Sequence, residues 1–191
     1  VLARWNIRTA TVALRWLERR SLTRATDLRA RLRLAPRELE AWRRVADGLA
    51  DGFDRETGLY EQFKGFYELD DVPLERLRPR PMAADLMLTR EVTLRSKVIK
   101  QADVVMLCWL LSDDIPDEVA RANYEYYEPL TTHGSSLSPG MHAAVAAEFG
   151  DLGAAEAAFR MACDIDLGDT MGNAARGLHM ATLGGIWQAA V

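Results

Sequence analysis

Apolar residues recur every three to four positions over most of this 191-residue chain, the period of amphipathic helices. Between residues 2 and 20, Trp5, Thr9, Val12 and Trp16 make one stripe, with Ile7, Leu14 and Leu17 on its flank and arginines opposite. That pattern predicts a helix whose tryptophans enter the core. A second helix is expected from Pro36, a proline in the first turn with Glu38 and Glu40 near the positive end of the dipole. It runs through Leu39, Trp42, Val45 and Leu49 and stops at Gly52. From Phe53 to Pro81 the period breaks into an aromatic and acidic stretch with turn points at Gly58 and Gly65, and Pro73, Pro79 and Pro81 block regular structure. So long an irregular segment either serves a function or wraps another part of the molecule, its aromatics plugging the end of a helical bundle.

Helices resume over Ser96–Ser112 and Pro116–Tyr127. The first is apolar nearly all round from Val104 to Leu111, which predicts enclosure by other helices. Its opening turns carry Lys97, Lys100, Gln101 and Asp103. These polar groups either face a shared cavity or, for Lys100, reach to solvent. Asp151 or Gly153 opens a further helix that buries Ala155, Ala158, Phe159 and Ala162. The last helix is expected from a cap at Asn173 to Ala190, burying Leu178, Leu183, Ile186 and Trp187, with His179 about two turns in. Gly184 and Gly185 each cost that helix roughly 1 kcal/mol against alanine, so a close backbone neighbour is the expected compensation. With seven or so helices and no β alternation, the fold class is all-α.

Composition narrows the class. Hydrophobic residues at 49% and charged residues at 27% are ordinary for a globular protein, and Val104–Leu111 is too short to span a bilayer. Arg4 and Arg8 interrupt any signal-like run, and Cys108 and Cys163 show no metal spacing, so a cytoplasmic protein without a membrane partner is expected. The net charge of −4 divides unevenly: residues 1–50 carry twelve arginines against five acids, and the remainder is correspondingly acidic. The arginines interleave with leucine and tryptophan at helical spacing. They are expected to form solvated faces that pair with the acidic remainder rather than a nucleic-acid surface.

One loop concentrates chemistry. Pro129 stops the helix that ends near Tyr127, and Ser138-Pro139 reads as an N-cap followed by proline at the first helical position, opening a helix over Met141–Phe149. Between them lie Thr131, Thr132, His133, Ser135 and Ser136, with Gly134 allowing a tight path. Hydroxyls, an imidazole and the free N–H groups of a helix start suit an anion, phosphate above all. The alternative is a capped connection whose hydroxyls satisfy only their own backbone. His133 and His142 stand nine apart with no third ligand close in sequence, so no metal site is expected.

Several ordered segments resemble glycoside hydrolase family 65, the inverting disaccharide phosphorylases and related hydrolases. They are F-K-G-F-Y-E-L-D-D (63–71), K-Q-A-D-V-V (100–105), N-Y-E-Y-Y-E-P-L-T-T-H-G-S-S-L-S (123–138), H-A-A-V-A-A-E-F-G-D (142–151), D-I-D-L (164–167) and G-L-H-M-A-T-L-G-G-I-W-Q (177–188). The resemblance implies that residues 1–191 form part of one catalytic domain, the second half of an (α/α)6 barrel truncated at both ends. It places the general acid, a glutamate, upstream of Val1, so no catalytic residue is assigned here and the isolated fragment is expected to be inactive. It implies that His133, Ser135, Ser136 and His179 bind phosphate, and that Lys100 and Gln101 bind the glucosyl unit. It further implies a disaccharide and inorganic phosphate as substrates, no cofactor, and a homodimer for the full-length protein. Lys64 stands where the family commonly has glutamate, and Gly134 where it commonly has an acid. The competing readings are a trehalase-like hydrolase, which needs a base carboxylate that residues 133–138 do not offer, and a non-catalytic helical scaffold.

Overall fold

The computed structural model describes residues 1–72, 88–101 and 103–191. Pro73, Pro79 and Pro81, expected to block regular structure, lie outside these residues. Two compact units divide the chain, Val1–Gly52 and Phe53–Val191.

The first unit holds three helices, α1 (Leu2–Arg20), α2 (Leu22–Leu32) and α3 (Pro36–Gly48). Small and branched side chains at the contacts, Leu14, Ala25 and Ala46, are its buried residues. Helix α2 went unread in the sequence because its apolar residues are few. Its start signal is Ser21, whose Oγ accepts from the Arg24 N–H at 3.4 Å, and Arg33 closes it in the left-handed region at φ 52°. The α1 stripe is turned outward, against expectation: Trp5, Val12 and Trp16 are exposed, and Leu14 is buried instead. The arginines pair inside their own unit, Arg4 with Asp51 at 2.6 Å, Arg8 with Asp47 at 2.9 Å, and Arg29 with Glu18.

In the second unit the described helices are α4 (Arg90–Arg95), α5 (Asp103–Leu110), α6 (Asp117–Tyr127), α7 (Ser138–Glu148), α8 (Leu152–Leu167) and α9 (Met180–Ala190). Helix α7 is its centre, with every residue from Ser138 to Ala146 buried. Its S-P-G-M-H-A-A-V-A run is small enough on all sides for α5, α8 and α9 to pack around it. The C-terminus turns through Gly150 at φ 78°, and Asp151 then caps α8 by accepting from the Ala154 N–H at 3.0 Å.

Close approach of α7 and α9 depends on glycine. A Cβ on Gly140 would lie 3.1 Å from the Gly185 carbonyl carbon and 3.2 Å from its Cα. The expected compensation for the glycine pair thus exists for Gly185, whereas Gly184 has open space around it. Because the small side of α9 packs, Thr182 and Gly185 are its buried residues, while Leu178, Leu183 and Trp187 are exposed rather than core.

Two helix starts differ from expectation. Residues 96–101 are not helical; Ser96 forms a parallel bridge with Asp70, and Ile99 a parallel bridge with Thr131. Only Asp103 onward is α5, where Val104, Val105, Leu107 and Cys108 are buried and burial pushes the Cys108 thiol up to about 12. Asn173 opens only a short turn, Ala174–Arg176, and α9 begins seven residues later at Met180. Residues 53–72 do plug a helix end: Phe66 and Tyr127 are fully buried with ring centroids 5.7 Å apart, and Tyr67 stacks edge-on against Tyr126 at 5.8 Å.

Candidate functional site

The Thr131–Ser138 loop is held from three sides. On one side, the Ile99 N–H donates to the Leu130 carbonyl at 2.9 Å and the Thr132 N–H to the Ile99 carbonyl at 2.9 Å. Because the Ile99–Thr131 bridge is parallel, the two strands of chain leave it side by side. Lys100-Gln101 therefore emerges next to Thr132-His133, although the sequence places them about thirty residues apart. Lys100 is exposed. Gln101 donates through Nε2 to Asp103 Oδ1 at 2.9 Å, and the other oxygen of Asp103 accepts from Gln62 Nε2 at 3.4 Å. Lys97, Lys100 and Gln101 sit ahead of α5, which opens at Asp103, because the bridge takes the backbone of 96–101 out of the helix.

On the second side a half-buried carboxylate meets two buried imidazoles, a cluster that sequence reading missed. Glu128 begins the Glu128–Leu130 turn at the end of α6. Its Oε2 lies 3.4 Å from His133 Nε2 and also contacts His142 Nδ1. The two imidazoles meet edge to face with centroids 4.6 Å apart, and His133 Nδ1 is 2.9 Å from Ser138 Oγ. Burial raises the Glu128 carboxyl, but hydrogen bonds from His133 and His142 outweigh it and hold the group down to about 2. The expectation that no third ligand-type group accompanies the histidines is thus corrected, since ligand atoms of Glu128, His133 and His142 lie within 4.8 Å of one another. The three groups form a close carboxylate–imidazole clasp, with His133 tied on to Ser138. The one sequence signal for Glu128 was its position just before a helix-stopping proline.

Backbone geometry around the loop also differs from expectation. His133, not Gly134, takes the left-handed conformation at φ 53°, which histidine tolerates better than most residues but still at a cost of about 1–2 kcal/mol. Ser138 is the first residue of α7 rather than its N-cap, since its hydroxyl serves His133, and Pro139 follows it. Leu137 stands at the N-cap without a side-chain bond to the helix. Residues 131–133 and 138–146 are buried, while Gly134, Ser135 and Ser136 between them are half-exposed.

The third side comes from α9. Thr182 Oγ1 donates to the Ser136 carbonyl at 2.8 Å. One turn earlier, His179 stands at the N-cap position of α9 and not two turns inside it. Asp166 on α8 holds it twice, accepting from the His179 N–H at 2.9 Å and lying 2.6 Å from Nδ1 through its other oxygen. Those bonds, first the side-chain contact with His179, lower the Asp166 carboxyl below its ordinary value. With Nδ1 engaged, Nε2 is the nitrogen left to meet a ligand. No side chain caps α9, and its first turn meets the serine loop through Thr182.

Nine helices among the described residues, three in the first unit and six in the second, where α7 is buried from Ser138 to Ala146, make an all-α protein. The chain belongs to glycosyl hydrolase family 65: the family's central catalytic domain matches residues 1–188. It is 38% identical over 190 residues to the kojibiose phosphorylase of Halothermothrix orenii, covering 100% of this chain and 24% of that protein. It is 34% identical over 197 residues to the alpha,alpha-trehalose phosphorylase of Geobacillus stearothermophilus, covering 100% and 25% respectively. Among solved structures, "Putative kojibiose phosphorylase from human microbiome" superposes with a TM-score of 0.75 at 29% identity, covering 86% of this chain and 22% of that one. The chain therefore spans about a quarter of the length of the curated relatives it matches, and its helices are an all-α fragment of the family's (α/α)6 barrel. Among the described residues, no helix is long and apolar enough to cross a membrane.

Proposed function

We propose that this chain is part of an inverting disaccharide phosphorylase, and that it supplies the phosphate cradle and part of the glucosyl subsite. The observation that carries the reading is the half-exposed Ser135-Ser136 pair, fixed between the Glu128–His133–Ser138 clasp and the Thr182 tether. Curated relatives named as kojibiose and alpha,alpha-trehalose phosphorylases support it. The family match runs unbroken through both compact units, which supports a single barrel domain over residues 1–191.

In this reading phosphate sits against the Ser135 and Ser136 hydroxyls and His179 Nε2, with His133 shaping the loop. Lys100 and Gln101, carried alongside by the parallel bridge, hold the glucosyl unit next to it. Phosphate attacks the anomeric carbon from the face opposite the leaving group, so an α-glucoside gives β-glucose 1-phosphate. The leaving oxygen takes its proton from a carboxylic acid not assigned to any residue here. Because the nucleophile is already an anion, the loop has only to orient it, and one well-placed donor to a charged oxygen contributes about 3 kcal/mol in the transition state. Glu128 does not restore the hydrolase reading. Its Oε2 is engaged by the His133 and His142 rings rather than turned to a water.

The test uses the protein that contains residues 1–191, incubated with maltose, trehalose, kojibiose and nigerose with and without inorganic phosphate, while the anomeric proton is followed by NMR. Phosphate-dependent β-glucose 1-phosphate is expected from one of them, and Ser136→Ala should abolish it. Glucose released equally well without phosphate would refute the cradle.

A further inference from the structure

We propose that Glu128 is a positioning residue for the phosphate cradle, acting through His133 on the Ser135-Ser136 loop; the proposal rests on the phosphorylase reading above. One carboxylate joins three pieces of backbone: its own at the end of α6, the loop at His133, and the second turn of α7 at His142. The turn that presents it is itself rigid, since the Thr131 N–H donates to the Glu128 carbonyl at 3.1 Å and Thr131 Oγ1 to the Tyr127 carbonyl at 2.7 Å.

Proton positions follow from the chemistry. An ionised carboxylate only accepts, so the His133 ring turns Nε2–H toward it, while His142 approaches it through Nδ1 as a close electrostatic neighbour. In neutral His133 this leaves Nδ1 as an acceptor for the Ser138 hydroxyl 2.9 Å away. Both nitrogens of His133 are then engaged, and its ring is 2% exposed. Such a ring serves as a strut. It pins the left-handed backbone of His133 and so aims Gly134, Ser135 and Ser136 away from the core. The same carboxylate lies against His142 Nδ1 at ion-pair range; neither nitrogen of that buried ring has a directed hydrogen bond among the described residues, and the ring sits 5.9 Å from the Tyr124 ring. Without the negative charge, nothing in the clasp obliges His133 to keep its tautomer, and Ser138 loses its matched partner. The loop keeps its Thr182 tether on the far side, so it should loosen without the fold coming apart.

The experiment compares wild type, Glu128→Gln and Glu128→Asp in the protein that contains residues 1–191. It measures kcat and the separate KM values for inorganic phosphate and disaccharide. Glutamine keeps the shape but removes the charge and turns a donor on one imidazole. The expected result is a phosphate KM at least tenfold higher, a disaccharide KM within twofold of wild type, and an intermediate phosphate KM for Glu128→Asp. A phosphate KM within twofold of wild type in Glu128→Gln overturns the proposal, as does an equal loss on both substrates. If Glu128→Gln does not fold, Ser138→Ala tests the opposite end of the strut. A threefold or larger rise in phosphate KM alone supports the proposal, and an unchanged value overturns it. Absence of phosphate dependence in the wild type would instead refute the phosphorylase reading, which separates the two failures.

Discussion

The glycines at the α7–α9 crossing give a prediction whose sign changes within a few ångströms. Replacing a helical glycine by alanine gains about 0.8–1.0 kcal/mol of backbone entropy when the methyl group has room. At Gly184 it has room, with nothing within 4 Å. Gly184→Ala should therefore stabilise the protein by up to about 1 kcal/mol, roughly 2–4 °C in Tm for an unfolding unit of 150–250 residues. At Gly185 the nearest atom is the Gly140 Cα at 3.5 Å, an ordinary contact, so that variant should fall between neutral and about +1 kcal/mol. At Gly140 the new methyl would meet backbone, Gly185 carbonyl carbon at 3.1 Å and Ile186 nitrogen at 3.4 Å. Backbone cannot rotate away as a side chain can, so α9 must shift as a body. Overpacking of about 1–3 kcal/mol, less the alanine gain, leaves Gly140→Ala about 1 kcal/mol less stable than wild type. Calorimetry on the three variants should rank Gly184→Ala above Gly185→Ala above wild type above Gly140→Ala. If Gly140→Ala proved as stabilising as Gly184→Ala, the two helices would not touch there. The tether that links Thr182 to the serine loop would then need another explanation.

Two further outcomes follow from the same packing. Glu128 is depressed from 4.5 to about 2 in the fold, so its stabilisation is complete above about pH 4.5 and is lost as pH falls from there toward 2. The full shift corresponds to about 3 kcal/mol. About a third of the side chain meets solvent, which reduces the figure to roughly 1–2 kcal/mol. Urea midpoints should accordingly fall more steeply in wild type than in Glu128→Gln over that window, and parallel curves would refute the pairing. Asn123, fully buried, donates to the Gly58 and Val119 carbonyls and accepts the Tyr60 N–H at 2.9 Å. Asn123→Ala strands those groups and should cost about 2–4 kcal/mol, read as a lower urea midpoint and faster proteolysis near residue 58; an unchanged midpoint would refute the bonding.

Local signals located most elements and only some of their faces. Pro36 at the start of α3, Asp151 before α8 and the apolar Val104–Leu111 run each declared a helix, because capping and period act within a turn or two of chain. The period did not declare α2, whose stripe is thin, nor the true starts of α5 and α9. At Ser96–Gln101 a tertiary partner, the Thr131 segment, competes for the same backbone hydrogen bonds and wins. At α1 and α9 the largest apolar side chains face outward while Leu14, Thr182 and Gly185 pack. Size and hydropathy alone assign those the other way round, since close backbone approach rewards smallness and leaves no mark in a hydrophobic pattern.

The site divides along the same line. The residue types in Thr131–Ser138, the proline at 129 and the family's ordered segments are properties of the sequence by itself, and they suffice for the all-α class, the family and the choice of loop. What the tertiary structure decided is which groups meet. The parallel bridge carries Lys100 and Gln101 alongside Thr132 and His133, Asp166 on α8 holds His179, and α9 brings Thr182 to Ser136. Glu128 reaches two histidines five and fourteen positions further on, in a contact that neither spacing suggests. Hydrogen bonds and close packing are local in space but not in sequence, so they remain invisible until the chain has folded.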